Sequence, residues 1–129
     1  MMEYREIIIK EYFNAWISKD DSVLETVFAV NAKYIECYGP AYDGLVQIQR
    51  WFKHWHEHGS VLSWTINKFV HDGEDCICDW YFECEYNGKG DGFNGVSWIK
   101  FNDENEIIEL REYQSKVPNY FPYSDKDRL

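Results

Sequence analysis

The sequence contains no run of ~18 apolar residues, the length a helix needs to cross a bilayer, so no membrane-spanning helix is expected. It is also short of positive charge: 13 Lys and Arg stand against 23 Asp and Glu, a formal net charge of −10. No stretch gathers enough basic side chains to offset that balance, which argues against nucleic acid and anionic membranes as partners. The N-terminal "MMEYREIIIKEYF" interrupts its apolar residues with charges and offers no signal-peptide core. A cytoplasmic location is therefore expected, with Cys37, Cys76, Cys78 and Cys84 as free thiols. No CxxC pair occurs. Cys76 and Cys78 share one side of a strand and read as small apolar core residues rather than as half a metal site.

Aromatic residues, by contrast, are plentiful: six Trp, ten Tyr and eight Phe make up 19% of the 129 residues. A single domain spanning 1–129 is large enough to bury a core without staples. It does not need this many rings to do so, and the surplus points to a cavity wall or a subunit interface.

The pattern over residues 3 to about 19 predicts an amphipathic helix with Tyr4, Ile8, Tyr12, Ala15 and Trp16 on one face. After "SKDDS", Asp21 or Ser22 is placed to cap a short second helix burying Val23, Leu24, Val27 and Phe28. "KYIECY" alternates, with Tyr34, Glu36 and Tyr38 on one side, and "GPAYDG" is turn chemistry. Residues 45 to 58 predict a third helix with Leu45, Ile48, Trp51, Phe52 and Trp55 buried, stopped by Gly59. Four long strands follow: "VLSWTINKFV", "CICDWYFECEY", "GVSWIKF" and "EIIELREYQSK". In the second of them Cys76, Cys78, Trp80, Phe82, Cys84 and Tyr86 face one way. The order predicts an α+β fold, with the three helices of the N-terminal half lying on the concave face of a curved antiparallel sheet. The tail 116–129 is expected to be irregular around Pro118 and Pro122, its Tyr120, Phe121 and Tyr123 packing over a cavity mouth or on a second subunit.

Two motifs invite a chemistry that their spacing does not support. "FKHWHEHG" places His54 and His58 on one helical face, but the His-Glu-x-x-His pattern fails because Ser60 stands where the second histidine belongs. No metal is expected there, since basic side chains suit a helix C-terminus in any case. The glycine-rich "NGKGDGFNG" joins two strands, carries Asp91 and reads as a hairpin loop rather than a phosphate cradle.

The inward-facing positions are Tyr12 and Trp16, then Tyr34, Glu36 and Tyr38, then Trp51, Trp55, Trp64, Cys78 and Trp80, then Ser97 and Ile99. Leu110, Glu112 and Gln114 join them if Leu110 sets the inward phase of the last strand. That set fits either a filled core or a ligand cavity. A carboxylate in such a cone loses solvation, and two facing carboxyls hold one another's protons further. A base of that kind suits proton abstraction beside a carbonyl, with a tyrosine hydroxyl steadying the oxyanion. The plainer alternatives are a structural pairing of Glu36 with a tyrosine, Arg50 or Arg111, and an edge position in water for Glu112.

The element order, the stretch "LETVFAVNAKYIECYGPAYDG" and the ending "WIKFNDENEIIELREY" resemble the SnoaL-like and nuclear-transport-factor-2-like superfamily, which includes ketosteroid isomerases, polyketide cyclases, scytalone dehydratase and limonene epoxide hydrolase. The resemblance spans residues 3 to about 115 and implies a cone-shaped, cystatin-like barrel. Compared with ketosteroid isomerase, Tyr12 matches the oxyanion-binding tyrosine and Glu36 the proton-shuttling aspartate. Ser97 stands where the isomerase has its second acidic donor, a departure that weakens the case for steroid isomerisation. Glu112 is the nearest match to the acid/base residue that family cyclases carry on their last long strands.

The expectation is a small-molecule pocket for an apolar or aromatic ligand, in a homodimer formed through the outer sheet face at Tyr81, Trp98 and Tyr113. If the protein is an enzyme, it is an isomerase, cyclase or dehydratase that needs no cofactor. Glu36, Tyr12 and Ser97 are then catalytic, and Trp16, Tyr38, Trp51, Trp55, Trp80 and Glu112 bind the ligand. The alternatives are a non-catalytic ligand-binding or stress protein and an interaction domain with a filled cone.

Overall fold

A computed structural model describes residues 2–123, with side chains from residue 3 onward; the remainder of the tail expected to be irregular lies outside the described residues. Helix α1 (Met2–Ser18) ends where Lys19 takes a positive φ of 61°. Asp20 then accepts a hydrogen bond from the Ser22 amide and caps a single 3-10 turn, Asp21–Val23, which runs into the short α2 (Leu24–Val27). The cap is thus one residue ahead of the pair suggested by the sequence. On α1 the deepest side chains are Ile9, Tyr12, Phe13 and Trp16, while Tyr4 is exposed.

Strand β1 (Phe28–Ile35) is longer at its start and shorter at its end than the alternation of "KYIECY" suggested. Glu36 lies just past it, its amide bonded to the Pro40 carbonyl, and the chain turns back into β2 (Ala41–Asp43). Helix α3 (Leu45–His56) buries Ile48 and Phe52 fully. Then come β3 (Gly59–Asp72), β4 (Asp75–Tyr86), β5 (Lys89–Phe101) and β6 (Ile107–Lys116).

These strands form one curved, open six-stranded sheet in the order β2-β1-β6-β5-β4-β3, with helices against its inner face, an α+β architecture. The sheet is antiparallel at every joint except β1–β6, where Tyr34 stands beside Leu110 in a parallel pair. The glycine-rich stretch is not a loop. Asn87 and Gly88, both at positive φ, make a two-residue turn, and pairing resumes at once with Lys89 opposite Tyr86. Strand β5 consequently contains Asp91 and Phe93, which the sequence reading had left outside the sheet.

Burial of large rings holds the layers together, at roughly 1.5–3 kcal/mol per fully buried side chain. Phe13 of α1 stacks on Trp64 of β3 at 3.7 Å between centroids, and Tyr12 meets Phe28 edge-on at 5.0 Å. At the other end of α1, Arg5 donates to the Gly73 carbonyl and lies over the Phe101 ring, fastening the helix across the β3–β4 turn. The last strand takes the inward phase set by the fully buried Leu110.

Candidate functional site

Between α1, α3 and the inner sheet face lies a cavity of about 450 Å³. Trp16 of α1, Trp51 and Trp55 of α3, Trp64 of β3, and Trp80, Phe82 and Tyr86 of β4 form most of its wall. Tyr34, Glu36 and Tyr38 enter from the end of β1 and the following turn, and Cys84, Asp91, Phe93, Glu112 and Gln114 complete the lining.

The polar groups are arranged as a chain. Tyr12 donates to the Tyr34 hydroxyl at 2.8 Å, and Tyr34 donates to Glu112 Oε2 at 2.6 Å. On the far side, Trp80 Nε1 donates to Ser97 Oγ at 2.9 Å. Ser97 stands opposite Glu112 across β5 and β6. With Trp80 donating to its oxygen, the serine still has one hydroxyl hydrogen to give.

Glu112 is only 7% exposed. Burial raises its pKa well above the ordinary carboxyl range, and the charge of Glu36 with the hydrogen bond between the two carboxyls raises it further; the Tyr34 and Ser97 donors oppose the shift. Tyr34 thus donates to Glu112, and Glu36 lines the same cavity. Glu36, half-buried, also accepts from the Cys37 amide at 3.0 Å. Among the described residues no ion pair involves either glutamate. Arg50, one partner considered for Glu36, faces a separate outer hollow with Lys53 and His54, and Arg111 pairs with Glu109. The same burial pushes the hydroxyls of Tyr12 and Tyr34 well above the usual phenol range, so they serve as donors and not as bases.

The sequence-derived residues therefore separate into two groups. Glu36, Trp16, Tyr38, Trp51, Trp55, Trp80 and Glu112 line one cavity. Tyr12 and Ser97, both 0% exposed, lie behind the wall, Tyr12 donating to Tyr34 and Ser97 accepting from Trp80. The hydroxyl that reaches the cavity is that of Tyr34, which parity had placed inward without giving it a role. Tyr38, 57% exposed, stands at the rim. Asp91 and Phe93 were missed because a string of glycines resembles a loop; the Asn-Gly dipeptide at 87–88 is the signal that identifies a tight hairpin instead.

The histidines of α3 also divide. His56 sets its two ring nitrogens against carbonyl oxygens, Nδ1 at 2.8 Å from Phe52 and Nε2 at 2.9 Å from Trp16, and so ties α3 to the end of α1. His54, Glu57 and His58 are exposed and bring one ligating atom each within 4.8 Å of one another, a three-donor cluster at the helix end. Cys76 and Cys78 are fully buried free thiols, and burial pushes the Cys76 thiol up to about 11.

The fold recurs in solved structures of low sequence identity. A proposed isomerase from Bacillus subtilis superposes with a TM-score of 0.77 at 18% identity, covering 88% of each chain. A hypothetical protein with a ketosteroid isomerase-like fold from Catenulispora acidiphila, in complex with trimethylamine, gives 0.75 at 19% identity over 85% of each chain. An epoxide hydrolase from M. tuberculosis resembling limonene epoxide hydrolase gives 0.75 at 12% identity, covering 84% of this chain and 80% of that one. No curated protein matches this sequence. The family model of the SnoaL-like domain matches residues 9–110, and with that match spanning α1 to β6 the chain belongs to the SnoaL-like domain family.

Proposed function

We propose that the cavity binds an apolar or aromatic small molecule and that Glu36 and Glu112 act on it as a base and an acid. The observation that carries this reading is Glu112, buried at the cavity wall with Tyr34 donating to it and with Glu36 lining the same cavity. A protonated carboxyl in that position donates a strong hydrogen bond to a ligand carbonyl that displaces the contact between the two glutamates. Glu36 then removes a proton from the neighbouring carbon, and the electron pair moves onto the carbonyl oxygen, where Glu112 meets the growing charge. Return of that proton to another carbon completes an isomerisation, and departure of a β-hydroxyl as water completes a dehydration. Tyr34 and Ser97 orient Glu112, and Tyr12 orients Tyr34, which makes Tyr12 and Ser97 positioning residues in this scheme. No step calls for a cofactor.

The aromatic wall alone equally suits a protein that sequesters its ligand without changing it. Native mass spectrometry of untagged protein first identifies any co-purifying molecule. Deuterium uptake from D2O into a panel of enolisable ketones then separates the two readings. Exchange catalysed by the wild type and abolished in Glu36→Gln, with binding retained, supports acid/base chemistry. Ketones that bind without exchanging deuterium leave only the sequestering protein.

The same reading includes a homodimer through the outer sheet face, where Trp98 and Tyr113 stand exposed in the single chain. Sedimentation velocity of the wild type against Trp98→Glu tests it; a wild-type monomer removes that interface. Tyr120 and Tyr123 of the tail are also largely exposed in the single chain.

A further inference from the structure

The charges of the cavity do not balance. Glu36, Asp91 and Glu112 line it, and among the described residues no Lys, Arg or His does. Burial and the charge of neighbouring Glu36 raise the pKa of Glu112, and among the described residues no basic side chain stands beside that charge. An anionic ligand entering here meets that charge inside low-dielectric walls, where repulsion is stronger than in water. A neutral ligand leaves it uncompensated.

The walls around that charge have the complementary property. Trp16 lies between Trp51 at 4.8 Å and Trp55 at 5.3 Å, centroid to centroid, and Trp51 meets Tyr34 at 4.8 Å. The rings are mutually tilted, so they present both faces and edges around one end of the cavity. An organic cation is attracted to such faces within ~6 Å of a centroid, contributing roughly 0.5–2 kcal/mol per desolvated contact. Of the basic side chains of α3, Arg50, Lys53 and His54 line the outer hollow, while the His56 ring packs against Trp16 at 4.8 Å with its nitrogens turned to carbonyl oxygens.

We infer that the ligand of this cavity carries an ammonium group, seated among Trp16, Trp51 and Trp55 and neutralising Glu36, with its apolar or aromatic remainder along Trp64, Trp80 and Phe82. This deepens the proposed function and rests on its assumption that the cavity admits a small molecule. An ammonium at Glu36 supplies the positive charge that no described side chain of the lining provides.

The test is a set of three probes of similar size at pH 7: 2-phenylethylammonium, neutral 2-phenylethanol and anionic 3-phenylpropionate. Binding to the full chain is followed by calorimetry and by quenching of the cavity tryptophans. The expected result is an ammonium at least tenfold tighter than the alcohol, with the carboxylate weakest. In Glu36→Gln the preference for the ammonium over the alcohol falls to within about twofold. An alcohol or carboxylate that binds as tightly as the ammonium overturns the ammonium assignment and leaves the pocket standing. Failure of all three to bind removes the pocket reading itself, and the inference with it.

Discussion

The Tyr34 hydroxyl lies 2.6 Å from Glu112 Oε2 across 78 residues of sequence, and it is also the acceptor for Tyr12. One phenol therefore supplies a donor to a buried carboxyl and an acceptor to a buried hydroxyl.

Removing it leaves both partners unsatisfied. Tyr34→Phe is expected to lower stability by about 1–3 kcal/mol, against about 0.5–1.5 kcal/mol for Tyr12→Phe, which removes only the outer donor. In the double variant Tyr12 is no longer orphaned, so the combined loss falls short of the sum by about 1 kcal/mol. Urea unfolding of the three variants measures that coupling, and strict additivity would show that the two hydroxyls do not communicate.

Glu112 sets a pH dependence whose sign follows from the direction of its shift. Its pKa is raised in the fold from an ordinary value of 4.5, so its stabilising contribution is complete below about 4.5. That contribution is lost as pH rises toward the raised folded value, at up to about 1.4 kcal/mol per pH unit. Glu112→Gln keeps an acceptor for Tyr34 and a donor for Glu36 but does not titrate. The melting temperature of this variant is expected to gain on the wild type steadily from pH 4.5 to neutrality. A gap that narrows over that range would mean that the fold favours the ionised carboxyl.

Gly95 predicts a further weak point. It faces Trp80 across β4 and β5, and a Cβ there would collide with the indole ring. Gly95→Ala is expected to cost about 1–3 kcal/mol through overpacking. The displaced ring must also leave Ser97, so near-ultraviolet circular dichroism should change together with stability. An unaltered spectrum would place the indole elsewhere in solution.

His56 places Nε2 at 2.9 Å from the Trp16 carbonyl at the end of α1 and Nδ1 at 2.8 Å from the Phe52 carbonyl within α3. A neutral ring donates to one of the two. His56→Ala is expected to destabilise by about 1–3 kcal/mol, with Gln, which provides one donor group, recovering part of the loss. The comparison is made by urea unfolding at pH 6. Equal midpoints for His, Gln and Ala would remove the clamp from the account.

These contacts show why the fold was easier to read than the site. Period and parity survive translation into three dimensions. Cys76, Cys78 and Trp80 are buried as their alternation implied, and Leu110 fixed the phase that turns Glu112 inward. Parity says which way a side chain points but not what stands in front of it. Tyr12 points inward and is covered by Tyr34; Ser97 points inward and lies beneath Glu112. The pairing of β1 with β6 carries no local signal at all, because it depends on two segments at opposite ends of the chain. The engagement of His56 is equally silent, since its second acceptor belongs to a residue 40 positions earlier.

That parallel pair has a consequence for how the protein comes into being. Strand β1 leaves the ribosome well before the neighbour it needs, β6. Until residues 107–116 are available, β1 has a partner on one edge only, and Tyr34 has no carboxyl to receive its proton. Loop closure over such a separation slows the search for the native state. A nascent chain stalled before β6 would hold α1, α3 and most of the aromatic wall, yet it could not assemble the glutamate pair, so ligand capture should begin only once β6 has been made.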